Sequence, residues 1–148
     1  MKSLLILGAG GFGHMIKETA QALGYEEIVF LDDMVKEDDV IGMCCDYVIK
    51  HEDYPVAVAA FGNNKTRLFW TDKLLEEGYE VPAIVHPSAV VSPSVTLEPG
   101  CFIMQRSVVN TNTKIERAAL VNSGAVVDHN SVVCAGAHVG LGSVVKAN

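Results

Sequence analysis

Aliphatic residues recur at every sixth position over the second half of the chain: Val85, Val91, Leu97, Ile103, Val109, Ile115, Val121, Val127, Val133, Val139 and Val145. With aliphatics at roughly one third of positions by chance, such an unbroken run would arise on the order of once in 10^5 trials. The residue four after each is mostly small, as at Ala89, Cys101, Ser107, Thr113, Ala119, Ala125, Ser131, Ala137 and Ser143. A large residue every six with a small one four later is the hexapeptide signature of a parallel β-helix. Each coil buries its aliphatics on those of the coils above and below, so no coil is stable alone.

Before the repeats the chain alternates strand and helix signals. Ser3 to Leu7 is an apolar run that ends in glycines, and Phe12 to Leu23 has helical character. Ile28 to Leu31 is a second apolar run stopped by Asp32-Asp33, Tyr47 to Ile49 a weak third strand, and Val56 to Phe61 a strong fourth. Gly62-Asn63-Asn64 halts that strand and offers an asparagine N-cap. The helix expected from Lys65 to Glu77 would turn Leu68, Trp70, Leu74 and Leu75 inward, and Val81 to Val85 would close the unit. The order points to a small, mostly parallel sheet covered by helices. Two domains are expected, residues 1–82 and 83–148.

Composition narrows the function classes. The net charge is −7 and the Lys and Arg residues form no stripe, so a nucleic acid or an anionic membrane is not the expected partner. Apolar runs such as Val56 to Phe61 are far shorter than the roughly 20 residues of a membrane span. The N-terminus reads as a strand-turn-helix rather than a signal peptide. The four cysteines make no C-x-x-C and no zinc spacing, which suits incidental thiols in a reducing cytoplasm.

Gly8-Ala-Gly10-Gly-Phe-Gly13 matches G-x-G-x-x-G between a strand and a helix. There backbone can approach a phosphate, and a helix N-terminus offers unpaired N–H groups. Asp32 ends the next strand, where an acid can accept hydrogen bonds from ribose hydroxyls. The bland alternative is a tight structural turn. About eighty residues precede the repeats, enough for one mononucleotide half, so a mononucleotide or nucleotide-sugar fits better than a dinucleotide. In the repeat region His129 falls at a corner and His138 precedes the inward Val139, which turns both outward. Surface histidines are commonly only solvated, but two on one weakly charged wall suit proton transfer near neutral pH. His14 lies beside the glycine loop as a supporting group, His51 in an exposed loop, and His86 at a hinge before Pro87.

These segments resemble a known family, the sugar acetyltransferases that join a small Rossmann-like domain to a left-handed β-helix. The matching pieces are Gly8 to Gly13, Gly24-Tyr-Glu-Glu-Ile-Val-Phe-Leu-Asp-Asp33, Phe61-Gly-Asn-Asn-Lys-Thr-Arg67, His86-Pro-Ser-Ala-Val-Val-Ser-Pro93 and Asn122-Ser-Gly-Ala-Val-Val-Asp-His129. They span nearly the whole chain in the family's order. The nearest members acetylate the 4-amino group of UDP-linked amino sugars of the bacillosamine type; relatives O-acetylate sialic acid. The resemblance implies that Gly10, Gly11 and Phe12 line the nucleotide-sugar site, that Asp32 and Asp33 contact the uridine, and that Gly62 completes the pocket. It implies His129 as general base and His138 as a contact of acetyl-CoA near the reacting carbonyl. It also implies direct transfer without an acyl-enzyme or a metal, a cytoplasmic homotrimer, and coenzyme A in the groove between neighbouring β-helices.

Two positions depart from the family pattern. Asn130 stands where nearby members carry an acid that strengthens the histidine, and the repeats stop in mid-phase at Lys146-Ala-Asn148. The second departure leads us to expect a shortened sequence or a last coil covered by a partner. The expected activity is acetyl transfer from acetyl-CoA to the amine of a UDP-linked sugar. The alternatives are O-acetylation of a sialic-acid-type sugar, or a catalytically weak nucleotide-sugar-binding or assembly protein.

Overall fold

The computed structural model describes residues 1–147; Asn148, where the repeat ends in the sequence, lies outside the described residues. The chain divides into two compact units, Met1–Pro82 and Ala83–Asn148.

The first unit runs β1 (Ser3–Leu7), α1 (Gly11–Ala22), β2 (Glu27–Leu31), a 3₁₀ turn (Cys44–Asp46), α2 (Tyr47–Lys50), β3 (Ala57–Ala59) and α3 (Asn64–Glu76). The three strands form a parallel sheet in the order β2-β1-β3. Leu4, Leu5, Ile6 and Leu7 are all fully buried, the continuous apolar reading expected of a central strand covered on both faces.

Four expectations are corrected here. The segment read as a third strand is the short helix α2. Its preceding turn is nucleated by Asp46, whose Oδ2 accepts the Met43 N–H (2.8 Å), and Tyr47 is held by tertiary contacts. The Tyr79 hydroxyl donates to the Tyr47 carbonyl, and the Tyr47 ring meets Trp70 edge-on at 5.6 Å. The strong fourth run yields only Ala57–Ala59 as strand, with Val56 bridged to Glu80. Helix α3 buries Arg67, Thr71 and Leu74, one face at i, i+4 and i+7, while Leu68, Trp70 and Leu75 are half-buried. Residues 81–83 form no strand, because Pro82 has no N–H to donate; Ile84–Val85 instead pairs with Phe102–Ile103.

The second unit is a left-handed parallel β-helix. Its eleven two-residue strands are β4 (Ile84–Val85), β5 (Val90–Val91), β6 (Thr96–Leu97), β7 (Phe102–Ile103), β8 (Val108–Val109), β9 (Lys114–Ile115), β10 (Leu120–Val121), β11 (Val126–Val127), β12 (Val132–Val133), β13 (His138–Val139) and β14 (Val144–Val145). The second residue of every strand is one of the eleven phased aliphatics. Partners are offset by 18 residues, as in Leu120 opposite Phe102 and His138, so three hexapeptides make one coil. Three faces result: β4-β7-β10-β13, β5-β8-β11-β14 and β6-β9-β12. Ile103, Val109, Ile115, Val121, Val127, Val133 and Val139 stack in the interior, each burial stabilising by roughly 1.5–3 kcal/mol.

The corners have a period of their own. Gly100, Arg106, Asn112, Ala118, Gly124, Asn130, Gly136 and Gly142 all have φ between 55° and 71°. In the upper coils the N–H of this residue donates to a carbonyl 19 positions earlier, for example Asn130 to Thr111 and Gly124 to Gln105, both 2.9 Å. In the first coil serine hydroxyls take that place: Arg106 N–H donates to Ser88 Oγ (3.0 Å) and Asn112 N–H to Ser94 Oγ (2.9 Å).

Candidate active site

The glycine loop, the Asp32 segment and Gly62 all follow the C-terminal ends of adjacent parallel strands, the edge where open α/β sheets bind ligands. The glycines divide by role. A Cβ on Gly13 would stand 1.9 Å from the Gly8 carbonyl oxygen, so Gly13 lets α1 pack on the loop. At Gly10, Gly11 and Gly62 a Cβ would meet nothing within 4 Å, so these backbones border open space. Gly10 is the N-cap of α1 and brings no side chain to the first turn, which also lacks an acid. That leaves the positive end of the helix dipole available to an anion.

Asp32 knits the loops together. Its Oδ2 accepts the Ala9 N–H and its Oδ1 accepts Met34 and Val35 N–H, all at 2.8 Å. Partial burial pushes this carboxyl up, but the three N–H donors outweigh that and hold it below the ordinary carboxylate range. Asp33 uses Oδ1 to accept the Cys44 N–H (2.9 Å). The Cys44 thiol also lies within hydrogen-bond reach of the Asp33 carboxylate. A cavity of about 320 Å³ lies against Asp32, Asp33, Val35, Lys36, Glu37 and Met43. Asp32 and Asp33 are thus brought together on it. Gly10, Gly11, Phe12 and Gly62 are not part of its wall; Gly10–Phe12 follow the Ala9 that Asp32 holds.

The sequence reading gave no role to Arg67. It is fully buried, and its guanidinium donates to the carbonyls of Phe61 (3.0 Å) and Gly62 (3.3 Å) and to Asn64 Oδ1 (3.0 Å). Burial pushes its pKa down to about 10. It shapes the turn that carries Gly62. Cys44 beneath the pocket is pushed up to about 12, first by burial and then by Asp33 and Asp32, and is no nucleophile.

In the β-helix His129 stands exposed at the corner between β11 and β12. Its Nδ1 lies 2.9 Å from Asn130 Oδ1. An amide oxygen only accepts, so Nδ1 carries the proton and Nε2 presents a lone pair. Asn130 holds φ +55°, a conformation asparagine tolerates better than most residues. Asp128 does not serve the imidazole. Its Oδ1 accepts the His129 backbone N–H (2.8 Å) and Asn110 Nδ2 (3.1 Å), and those bonds keep it below the usual carboxylate range.

His138 is exposed on β13, where Nε2 faces Asn122 Nδ2 at 3.1 Å. The Asn122 Oδ1 accepts the Ser123 N–H (2.8 Å), which orients its amide and turns Nδ2 to donate to His138 Nε2. The two histidines are not brought together within one chain. His129 turns the corner into the third face, while His138 begins the first face after the next corner. His51 is half-buried and stacked on Tyr79 at 4.5 Å rather than in an exposed loop. The His86 Nδ1 accepts the Ser88 N–H (3.0 Å) at the head of the β-helix. Among the described residues no group of three His, Cys, Asp or Glu could hold a metal ion, and no helix is long and apolar enough to cross a membrane.

A small parallel sheet with a glycine loop at its C-terminal edge, joined in sequence to a left-handed β-helix, is the architecture of an acetyltransferase class. The family described as PglD N-terminal domain matches residues 3–74. PerB from Caulobacter crescentus, solved in complex with CoA and GDP-perosamine, is similar at 32% identity and TM-score 0.88, over 97% of this chain and 71% of that one. A histidine-to-alanine mutant of GDP-perosamine N-acetyl transferase from the same organism matches at 29% identity and TM-score 0.91, over the same shares. The acetyltransferase domain of PglB from Neisseria gonorrhoeae, in complex with acetyl coenzyme A, matches at 30% identity and TM-score 0.79, over 97% of this chain and 81% of that one. The chain belongs to the sugar N-acetyltransferase family.

Proposed function

We propose that this protein transfers an acetyl group from acetyl-CoA to the amine of a nucleotide-linked amino sugar, with His129 as general base. The orientation of His129 carries the reading: Asn130 Oδ1 accepts a hydrogen bond from Nδ1–H and leaves Nε2 to act. The neutral sugar amine attacks the thioester carbonyl, forming the C–N bond. Nε2 takes the proton from nitrogen, the C–S bond breaks, and the imidazolium returns that proton to the departing thiolate. Gly10, Gly11, Phe12 and Gly62 are assigned to the nucleotide-sugar, with Asp33 lining the pocket beside it and Asp32 holding the loops. His138 is assigned to acetyl-CoA.

The family resemblance favours UDP as the carrier, and the similarity to GDP-perosamine N-acetyl transferase favours GDP. A site containing both His129 and His138 needs two chains, which supports a homotrimer with coenzyme A between β-helices. On the second face the outward residues Val90, Val108, Val126 and Val144 form an apolar column, with Val90 64% and Val144 62% exposed. A cytoplasmic place of action belongs to the same reading.

The test is acetyl-CoA turnover with UDP-4-amino sugars and with GDP-perosamine, wild type against His129→Ala. The expected loss in kcat is about 10²- to 10⁴-fold. No transfer to either sugar would overturn the activity, and unchanged turnover in the variant would remove the assigned base.

A further inference from the structure

The wall of the nucleotide pocket is a loop, residues 32–43, that leaves β2 and returns to its edge. Backbone bonds secure its base: Phe30 N–H to Asp39 O (2.8 Å), Ile41 N–H to Phe30 O (2.9 Å) and Asp32 N–H to Gly42 O (3.0 Å). Its outer part is held by side chains of α1. His14 Nε2 lies 3.1 Å from Glu37 Oε2, and Lys17 Nζ lies 2.7 Å from Asp39 Oδ2. His14 and Lys17 are one helical turn apart, so they face the loop together. The His14 ring also packs on Phe30, centroids 5.2 Å apart, which fixes its direction.

Glu37 is itself part of the pocket wall. The helix that anchors it begins at Gly10 and Gly11, the backbone proposed to meet the phosphates of the nucleotide-sugar. The His14–Glu37 pair therefore links the wall against the nucleoside to the helix end that meets the phosphates. Its side chains are 40% and 47% exposed, and exposed pairs of this kind add little to stability. Their effect is on geometry.

We infer that His14 is a positioning residue for nucleotide binding: through Glu37 it sets the distance between the pocket wall and α1. This rests on the proposed nucleotide-sugar site, and it makes no contact with the reacting atoms. The test is direct binding of UDP and GDP by calorimetry on the full chain, alongside steady-state kinetics. His14→Ala is expected to weaken nucleotide binding and raise KM for the nucleotide-sugar about three- to tenfold. The kcat, the KM for acetyl-CoA and the Tm should stay as in the wild type. His14→Gln, which keeps a donor toward Glu37, should recover most of the affinity, and His14→Ala/Glu37→Ala should be no worse than either single change.

Unchanged nucleotide affinity in His14→Ala would overturn the inference, as would multiplicative losses in the double variant or a Tm that falls with the affinity. A wild-type protein that binds nucleotide but transfers no acetyl group would sink the activity and leave this measurement decisive. One that binds neither nucleotide would overturn both.

Discussion

At the scale of single residues, Asn130 decides how His129 behaves. Its amide oxygen orients the ring, but a neutral amide would add no charge to stabilise the imidazolium of the proposed transfer. Asn130→Asp keeps an oxygen in place, and aspartate also tolerates positive φ. The expected outcome is a kcat/KM raised about tenfold on the alkaline plateau, with the acidic limb of the pH–rate profile moved to higher pH, because a carboxylate favours the protonated ring. A profile that does not move would show that the Nδ1 contact only steers. The sequence placed His129 and Asn130 side by side but not the bond between them, because strand alternation stops at a corner with φ +55°. Arg67 was hidden for another reason. An arginine is read as exposed by default, and only the fold shows three oxygens converging on it in the interior.

At the scale of elements, two periods with one length were superimposed. The inward aliphatics were legible because burial selects one chemical class. The corner positions were not, since glycine, asparagine, arginine and alanine all occupy them and share only a backbone conformation. Gly124 isolates that requirement: a Cβ there would meet only Gly142, at 3.8 Å, so space is not limiting. Gly124→Val should destabilise the protein by about 1–2 kcal/mol or more in urea denaturation, while Gly124→Asn should cost under half of that. Equal losses would mean that packing, not φ, governs the corner. The Tyr47 segment was misread because three of its residues suit a strand equally well, and what decides the matter is Asp46 before it and Tyr79 and Trp70 beside it.

At the scale of the whole molecule, the coil of 18 residues assigns outward chemistry to faces. The third face begins its strands with Thr96, Lys114 and Val132, and Lys114 pairs with Glu98 (3.4 Å) and Glu116 (3.5 Å). The second face has only valine in that column. Val126→Glu should leave the circular dichroism spectrum intact, since the side chain points outward, yet shift the proposed trimer toward monomer in sedimentation. A trimer that survives would place the contact elsewhere. The sequence predicted the fold of this unit and the outward direction of both histidines. It did not separate their faces, because a six-residue reading treats every face as equivalent.

Inserting or deleting one hexapeptide would return each aliphatic to the interior and each corner residue to a corner. It would also carry every later side chain around to the next face, so a His129 displaced by six lies on the wrong side of an intact core. The stack thus accepts changes of length in sixes, whereas the chemistry on its surface accepts them only in eighteens, and a lineage built on this scaffold could lose its reaction without losing its fold.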